Sequence, residues 1–279
     1  MLEPAALGQH KDDLAATIKA LRKQAGLTGA RLAARCAMSQ SKISKIETGK
    51  LIPSLVDVAQ ILRATNAPAD LAEEAMSLAR LANTEFHDVR SLLRKGLEKK
   101  QVELAGLEAT STRLRFFLPS MITTLISTAE YIRASLAHSP SDTSKAVAKK
   151  LERQAVLYDE SKQFDFVLTE AAARWALCPA PLMALQLDRL LSLSHLPNVR
   201  LGVIPMGTET PRTVLNTFTI YDERLVTAEI FGGAILMRDP RDVAYHLQLF
   251  TLFEGFAVFG EPARDRLAEW STIFRHACS

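Results

Sequence analysis

The sequence is poor in the features of secreted and membrane proteins. Only three cysteines, Cys36, Cys178 and Cys278, occur in 279 residues, and they lie far apart. Their odd number and wide spacing argue against a disulfide framework or a zinc pattern, so we expect reduced thiols in the cytoplasm. No apolar run is long enough for a transmembrane helix, and residues 1–4 do not resemble the start of a signal peptide. We therefore expect no membrane partner.

The sequence also lacks the motifs of common catalytic sites. It contains no Gly-x-Ser-x-Gly, no phosphate-binding glycine loop and no His-x-x-x-His, and its six histidines have no ligand spacing. Gly232-Gly233 is typical of a turn between strands. We therefore expect no catalytic residues, no cofactor and no metal site, and we predict that the protein is not an enzyme.

Positive charge is concentrated near the N-terminus. Residues 1–66 carry ten Lys or Arg and five Asp or Glu, whereas the remaining residues carry 24 basic and 26 acidic side chains. A basic first segment followed by a nearly neutral remainder fits a first domain that meets a polyanion.

Four short helices are predicted in the basic segment. Leu14, Ile18 and Leu21 recur at helical spacing within residues 11–25, and Gly26 can end that helix. Thr28 can cap a second helix that runs to about Cys36. Ser39 can cap a third helix, in which Ile43 and Ile46 face inward and which ends at Gly49. A fourth helix is predicted after Pro53-Ser54, and its expected buried residues are Leu55, Val58, Ile61 and Leu62.

The second and third helices have the pattern of a helix-turn-helix. Ala33 is small enough for a close helix crossing, and the third helix begins with short polar residues that can approach base edges. Gln can pair with adenine and Lys with guanine in the major groove, while other cations hold phosphates. The predicted DNA-binding residues are Thr28, Gln40, Ser41, Lys42, Ser44, Lys45 and Lys50.

Residues 39–49 resemble the recognition helix of Cro/repressor-like, xenobiotic-response-element regulators. The resemblance implies base contacts from Gln40, Ser41 and Lys45, and backbone contacts near Thr28 and Gly29. It also implies a structural ion pair between Arg22 and Glu47. Two positions depart from the family, which usually has Gln at Gly29 and glycine at Ala37. If Ala37 adopts the left-handed conformation, the cost is about 1–2 kcal/mol; the alternative is a turn with a different local geometry.

The remainder of the chain has a different pattern. Residues 70–110 contain no proline, which predicts a helical linker. The linker carries a basic cluster that is either a solvated helical face or an additional contact to DNA, formed by Arg90, Arg94, Lys95, Lys99 and Lys100. From residue 111, strand-like and helix-like segments follow. Strands are predicted at 113–118, 164–168, 199–205, 217–221, 225–230 and 234–237, and helices at 127–137, 142–160, 179–195, 240–257 and 261–276.

These patterns predict a mainly α protein with a smaller antiparallel sheet. The expected domains are an all-α helix-turn-helix domain over residues 1–69, a helical linker over 70–110 and an α+β domain over 111–279. The α+β domain would provide dimerisation and regulation.

The second half also resembles a known family. Residues 103–138, 166–172 and 197–205 are similar to blocks of the large domain in actinobacterial, antitoxin-like regulators of the WhiJ type. This resemblance implies transcriptional control, often beside a small partner protein encoded nearby. It identifies no binding residues.

Several aromatic residues of the second half could serve one of three purposes. They could line an effector pocket, pack in the core, or form a dimer seam through Phe250, Phe253 and Phe256, which recur near helical spacing. The set is Trp175, Phe218, Tyr221, Phe231, Phe250, Phe253, Phe256 and Phe259.

The leading hypothesis is a cytoplasmic, homodimeric transcription regulator that binds double-stranded DNA at a near-palindromic operator. Its signal would be a small protein or a small-molecule effector. The alternative is an antitoxin-like interaction module that sequesters a small partner, with DNA binding secondary. An enzyme with a DNA-targeting domain is a third hypothesis.

Overall fold

The computed structural model describes residues 6–88, 97–139 and 142–277. The chain forms two compact units. The first, here called the head unit, contains the described residues up to Asp88 together with Ala234–Val243. The second, the body unit, contains the other described residues. The predicted domain limits at 69/70 and 110/111 stay a prediction.

Helices dominate the head unit, as the periodicity of its apolar residues predicts. They are α1 (Ala6–Gln24), α2 (Gly29–Arg35), α3 (Gln40–Glu47), α4 (Leu55–Thr65) and α5 (Ala69–Ala82). Leu14 and Ile18 of α1, Leu32 of α2 and Ile61 of α4 are almost fully buried in one core. Helix α5 packs against α1 and contributes Ala75 and Ala79 to that core.

Residues 70–110, which the sequence predicts to be a helical linker, also contain a strand. After α5, residues Thr84–Asp88 form β1, which is hydrogen-bonded to β7 (Gly233–Met237). A five-residue segment with Thr and Phe suits a strand once a partner supplies hydrogen bonds. Of the basic cluster, Arg90, Arg94 and Lys95 lie outside the described residues, as do the side chains of Lys99 and Lys100.

The body unit contains a mixed sheet that is mostly antiparallel. Its strands lie in the order β6 (Leu225–Ile230), β5 (Thr217–Tyr221), β2 (Arg113–Leu118), β3 (Gln163–Thr169), β4 (Val199–Ile204) and β8 (Val258–Phe259). The pairs β2/β3 and β3/β4 are parallel, and the pairs β2/β5, β5/β6 and β4/β8 are antiparallel. The predicted fold class is therefore confirmed, including an α+β arrangement in the second half.

Helices cover this sheet. They are α6 (Leu97–Thr110), α7 (Ala129–Ser135), α8 (Ser144–Arg153), α9 (Glu170–Arg174), α10 (Ala180–Leu193), α11 (Pro240–Glu254) and α12 (Glu261–His276). The helix predicted over 142–160 ends at Arg153 and continues as a 3-10 turn, Gln154–Tyr158. Helix α9 and strand β8 were not predicted. No described helix is both long and apolar enough to span a membrane.

The aromatic residues of the second half do not form one pocket. Phe218, Tyr221, Phe250 and Phe253 are buried in the chain's own core, whereas Trp175 is 67% exposed. Phe231 is also fully exposed. Of the three interpretations, core packing holds for Phe250 and Phe253, because Phe253 stacks on Phe117, with ring centroids 4.3 Å apart, and Phe250 is 2% exposed.

The cysteines behave as buried residues where they are described. Cys36 and Cys178 are free thiols, and burial raises the pKa of each above its ordinary value. A thiol with a raised pKa is a weak nucleophile at neutral pH. Cys278 lies outside the described residues.

Candidate nucleic-acid interface

Side-chain caps fix where α2 and α3 begin. Thr28 has extended backbone dihedrals, and its Oγ1 accepts a hydrogen bond from Arg31 N at 3.2 Å. Ser39 does the same for α3, its Oγ accepting from Lys42 N at 3.1 Å. Each cap satisfies an amide that the helix leaves unpaired. Both predicted caps are confirmed.

The turn between α2 and α3 is a Schellman motif. Ala37 N donates to Ala34 O at 3.3 Å, and Met38 N donates to Ala33 O at 2.9 Å. This pattern places the residue after the helix cap in the left-handed region, and Ala37 has φ +52°. Of the two geometries considered for this turn, the left-handed one is present, in a position where glycine is usual.

The same motif ends the other helices of this segment. Gly26 follows α1 with φ +65°, Gly49 follows α3 with φ +66°, and Asn66 follows α4 with φ +48°. Glycine and asparagine tolerate this conformation better than other residues do. Among these four helix ends, Ala37 is the one position where an apolar Cβ occupies the left-handed region.

One face of α3 is fixed in the core and the other is exposed. Ile43 and Ile46 are each 1% exposed and share a core with Ala33. Helical geometry places positions 41, 44 and 45 on the side away from Ile43 and Ile46, and position 40 beside position 44 at the edge of that side. They are the predicted base-reading residues Gln40, Ser41, Ser44 and Lys45, and all four are exposed. The structure thus brings this part of the predicted site onto one accessible face.

The predicted cations of the site fall into two groups. Lys45 and Lys50 are exposed. Lys42 instead forms an ion pair with Asp57 of α4, with Nζ 2.7 Å from Oδ1. Its charge is therefore already matched within the head unit.

Asp57 joins this ion pair to the cap of α4. Its Oδ2 accepts from Ser54 N, while its own amide donates to Ser54 Oγ, which together form a capping box. Burial alone would raise the pKa of Asp57, but hydrogen bonds from Lys42 and Ser54 outweigh burial, and its pKa lies below the ordinary value. Sequence reasoning missed this carboxylate, although the Ser-x-x-Asp spacing indicates the capping box.

The ion pair implied by the resemblance is present. Arg22 Nε donates to Glu47 Oε1 at 2.5 Å and Nη2 donates to Glu47 Oε2 at 2.9 Å. A third donor, Nη1, binds Leu27 O at 2.8 Å. Because this bidentate pair joins the end of α1 to the last residue of α3, it holds the third helix to the rest of the head unit.

Two further residues border the first turn of α2. Gly29 is its first residue, and a Cβ built there would meet nothing within 4 Å. Arg31 is exposed on the same turn as the Thr28 cap. Sequence reasoning did not select Arg31, although its position one turn after the cap is a signal for a cation near the predicted backbone contact.

Two family models match separate parts of the chain. The model of a helix-turn-helix domain matches residues 13–75. The model of a domain of unknown function, DUF5753, matches residues 101–269, which is more than half of the chain. A comparison with curated proteins finds no match.

Two solved structures show limited similarity. NucT from Helicobacter pylori gives a TM-score of 0.38 at 7% identity, over 63% of this chain and 98% of that one. TrmBL2, described as an archaeal chromatin protein with a novel mode of DNA binding, gives a TM-score of 0.33 at 11% identity, over 64% of this chain and 53% of that one. Neither score is high enough to support a conclusion about this chain.

The head unit therefore contains a helix-turn-helix with an exposed polar face on its second helix. The match over residues 101–269 covers most of the remaining chain. The chain belongs to the family defined by the domain of unknown function DUF5753, and in it a helix-turn-helix domain precedes that domain.

Proposed function

We propose that this protein is a sequence-specific DNA-binding transcriptional regulator of the Cro/repressor-like type, with a WhiJ-type second domain. The observation that carries the proposal is the exposed row of Gln40, Ser41, Ser44 and Lys45 on a helix whose other face is locked in the core. An α-helix fits the major groove of B-DNA, where such side chains distinguish base pairs.

The roles of individual residues follow from their surroundings. Gln40 and Lys45 lie on the exposed face and are assigned to base edges, and Ser41 and Ser44 to bases or the adjoining phosphates. Lys50 is exposed just after α3 and is assigned to a phosphate. Thr28, at the exposed start of α2, is assigned to the DNA backbone through the helix N-terminus. Lys42 can reach a phosphate only by sharing its charge with Asp57.

A homodimer would strengthen this binding. Two copies of α3 would enter successive major grooves about 34 Å apart on a near-palindromic operator. The body unit would pair the copies and receive a signal from a small protein or a small molecule. Such a signal changes operator affinity only if it favours one spacing of the two helices. The protein would act in the cytoplasm without catalysis, cofactor or metal.

A mobility-shift titration with the DNA upstream of the protein's own gene tests the proposal. Gln40→Ala and Lys45→Ala should each weaken binding by about 1–3 kcal/mol and relax sequence preference. Lys50→Ala should weaken all sequences alike and reduce the salt slope by about 1.

The matched control is Lys19→Ala, which removes an exposed lysine from α1, outside the helix-turn-helix. It should change binding little. No retardation of any duplex at low salt by the folded chain would refute DNA binding. Equal losses for Lys19→Ala and Lys45→Ala would refute the assignment to α3.

Exposed apolar side chains in the body unit favour a second candidate. Trp175, Met206, Leu215 and Phe231 are each 67% exposed or more, and a partner that covered them would remove their apolar surface from water. The body could therefore hold a small protein, as in the antitoxin-like alternative. Purification from the native cell, followed by native mass spectrometry, distinguishes this candidate from the DNA-binding regulator. A stoichiometric small protein that blocks DNA binding favours sequestration, and a DNA-competent dimer alone favours the regulator.

A further inference from the structure

A pocket lies in the body unit outside the carboxyl ends of its three parallel strands. Strands β2, β3 and β4 end at Leu118, Thr169 and Ile204, within one residue of each other in register. Residues at these strand ends form one side of the pocket, and the loop 205–216, which leads from β4 to β5, forms another. The pocket therefore occupies a position where sheets with parallel strands commonly bind small molecules.

Polar contacts hold the loop 205–216 to the rest of the body unit. At its start, Met206 N donates to Glu170 Oε2 at 2.9 Å, which joins the end of β4 to the first residue of α9. Further along the loop, Arg212 Nη1 donates to the hydroxyl of Tyr245 on α11 at 2.7 Å. Because the loop is anchored at both places, the pocket is formed before any molecule enters it.

Most of the pocket wall is apolar. Ile204, Val214 and Phe253 contribute to it, and Met206, which is 70% exposed, lies where the pocket opens to the surface. The volume is about 210 Å³. Since an apolar cavity of about 150 Å³ binds benzene, this volume accommodates in proportion about eight non-hydrogen atoms, and the open mouth adds room. The size and the wall therefore suit one substituted aromatic ring or a compact pair of fused rings.

The polar side chains of the wall are hydrogen-bond acceptors. Thr169, Thr208 and Thr210 each donate the hydroxyl hydrogen to a backbone carbonyl, over 2.7 Å, 2.8 Å and 3.0 Å respectively. A hydroxyl has one hydrogen to donate but two lone pairs, so these groups can accept and have nothing further to donate. An occupant that carries an N–H or O–H donor therefore matches the wall better than one that carries only acceptors.

The charge of the wall also limits the occupant. Glu170 is charged, and none of the described wall residues is cationic. Burial alone would raise the pKa of Glu170, but hydrogen bonds from Met206 N and Arg174 outweigh burial, so its pKa lies below the ordinary value and the carboxyl group is ionised at neutral pH. An anionic occupant would thus bring a second negative charge to a wall that offers it no cation, whereas a neutral molecule would not.

We propose that this pocket binds a neutral aromatic molecule of one ring or two fused rings that carries an N–H or O–H donor. The ring would lie against the apolar wall, and burying it there would remove apolar surface from water. The donor would meet the hydroxyl oxygen of Thr208 or Thr210. Such a molecule would be the effector of the proposed regulator, and this regulatory consequence rests on the proposed function, whereas binding itself does not.

NMR titrations of the full chain with three small probes test the proposal. Indole has two fused rings and one N–H donor, and it should bind saturably. Benzofuran has the shape of indole but an oxygen in place of the N–H group, so we expect its affinity to be about three- to tenfold lower. Benzoate is aromatic but anionic at neutral pH, and its affinity should be at least tenfold lower than that of indole.

A pair of variants locates the binding. Ala171 belongs to the pocket wall and is exposed in the first turn of α9, so Ala171→Phe should fill the pocket without disturbing the core and weaken indole binding at least tenfold. The matched control is Ala268→Phe, which makes the same change at an exposed position of α12 outside the wall. It should leave the affinity for indole unchanged.

The possible results separate the parts of the proposal. If indole does not bind saturably, or if Ala171→Phe binds it as tightly as Ala268→Phe does, the pocket does not take aromatic molecules and the proposal is wrong. If benzofuran or benzoate binds as tightly as indole, the donor or the neutrality assigned to the occupant is wrong. These titrations contain no DNA, so their failure is distinct from failure of the mobility shift.

Discussion

Replacement of Ala37 by glycine should stabilise the head unit. Ala37 has φ +52° in the turn between α2 and α3, where its Cβ is unfavourable. The left-handed conformation costs a residue with a side chain about 1–2 kcal/mol. Glycine removes that cost but gives the unfolded chain about 0.4–1 kcal/mol more conformational entropy. The net gain in the free energy of unfolding should be about 0.5–1 kcal/mol.

Hydrogen exchange of the full-length protein measures this change locally. A gain of this size corresponds to about two- to fivefold greater protection of amides in α2 and α3, if they exchange through opening of the head unit. The matched control is Ala34→Gly, at an exposed helical position three residues earlier. There glycine should cost about 0.5–1 kcal/mol and reduce protection.

The two glycine variants must therefore differ in sign. If Ala37→Gly reduces protection as Ala34→Gly does, the left-handed turn does not carry the strain ascribed to it. The interpretation of Ala37 as a costly departure from the usual glycine would then be wrong.

Three other perturbations test the head unit. Arg22→Ala should lower the free energy of unfolding by about 2–3 kcal/mol in a urea titration, because it leaves the largely buried Glu47 carboxylate without its bidentate partner. Unchanged stability would contradict a structural role for the pair. Since the pKa of Asp57 is lowered in the fold, its contribution is present above the unfolded value, about 3.9, and is lost as the pH falls through the lower folded value. Asp57→Asn should accordingly reduce the loss of stability measured between neutral and acidic pH, and an unaltered acid profile would count against this contribution. Gly29→Gln should raise DNA affinity about two- to tenfold in an anisotropy titration by adding one hydrogen bond at an unobstructed position; a folded variant with unchanged affinity would show that no contact is missing there.

Local signals predicted the head unit well. The caps Thr28 and Ser39 and the buried Ile43 and Ile46 follow from residue type and a 3.6-residue period, which depend on neighbours within a few positions. The Arg22–Glu47 pair joins residues 25 positions apart. It was foreseen through resemblance, since spacing alone does not reveal such contacts.

Two features that depend on distant partners were not predicted. Strand β1 becomes a strand because it pairs with β7, which lies about 150 residues later in the chain. Lys42 is predicted to bind a phosphate from its position on α3, but it forms an ion pair with Asp57, which lies on α4. Sequence patterns identify neither partner because both depend on the packing of separate elements.

The polar face of β5 shows a related limit. Thr217, Thr219 and Tyr221 alternate with Phe218 and Ile220, which is the usual pattern of a strand with one face in water. In the structure all five residues are buried, because helices cover the polar face as well. The period of a strand reports which residues share a face, but it does not report what covers that face.

Selection from a pool of randomised DNA duplexes tests the central claim most directly. The full-length chain should enrich one sequence motif, and the Gln40→Ala, Lys45→Ala double variant should retain salt-dependent binding but lose that enrichment. If the unaltered chain enriches no motif, or if the double variant enriches the same motif to the same degree, α3 does not read DNA sequence in this protein.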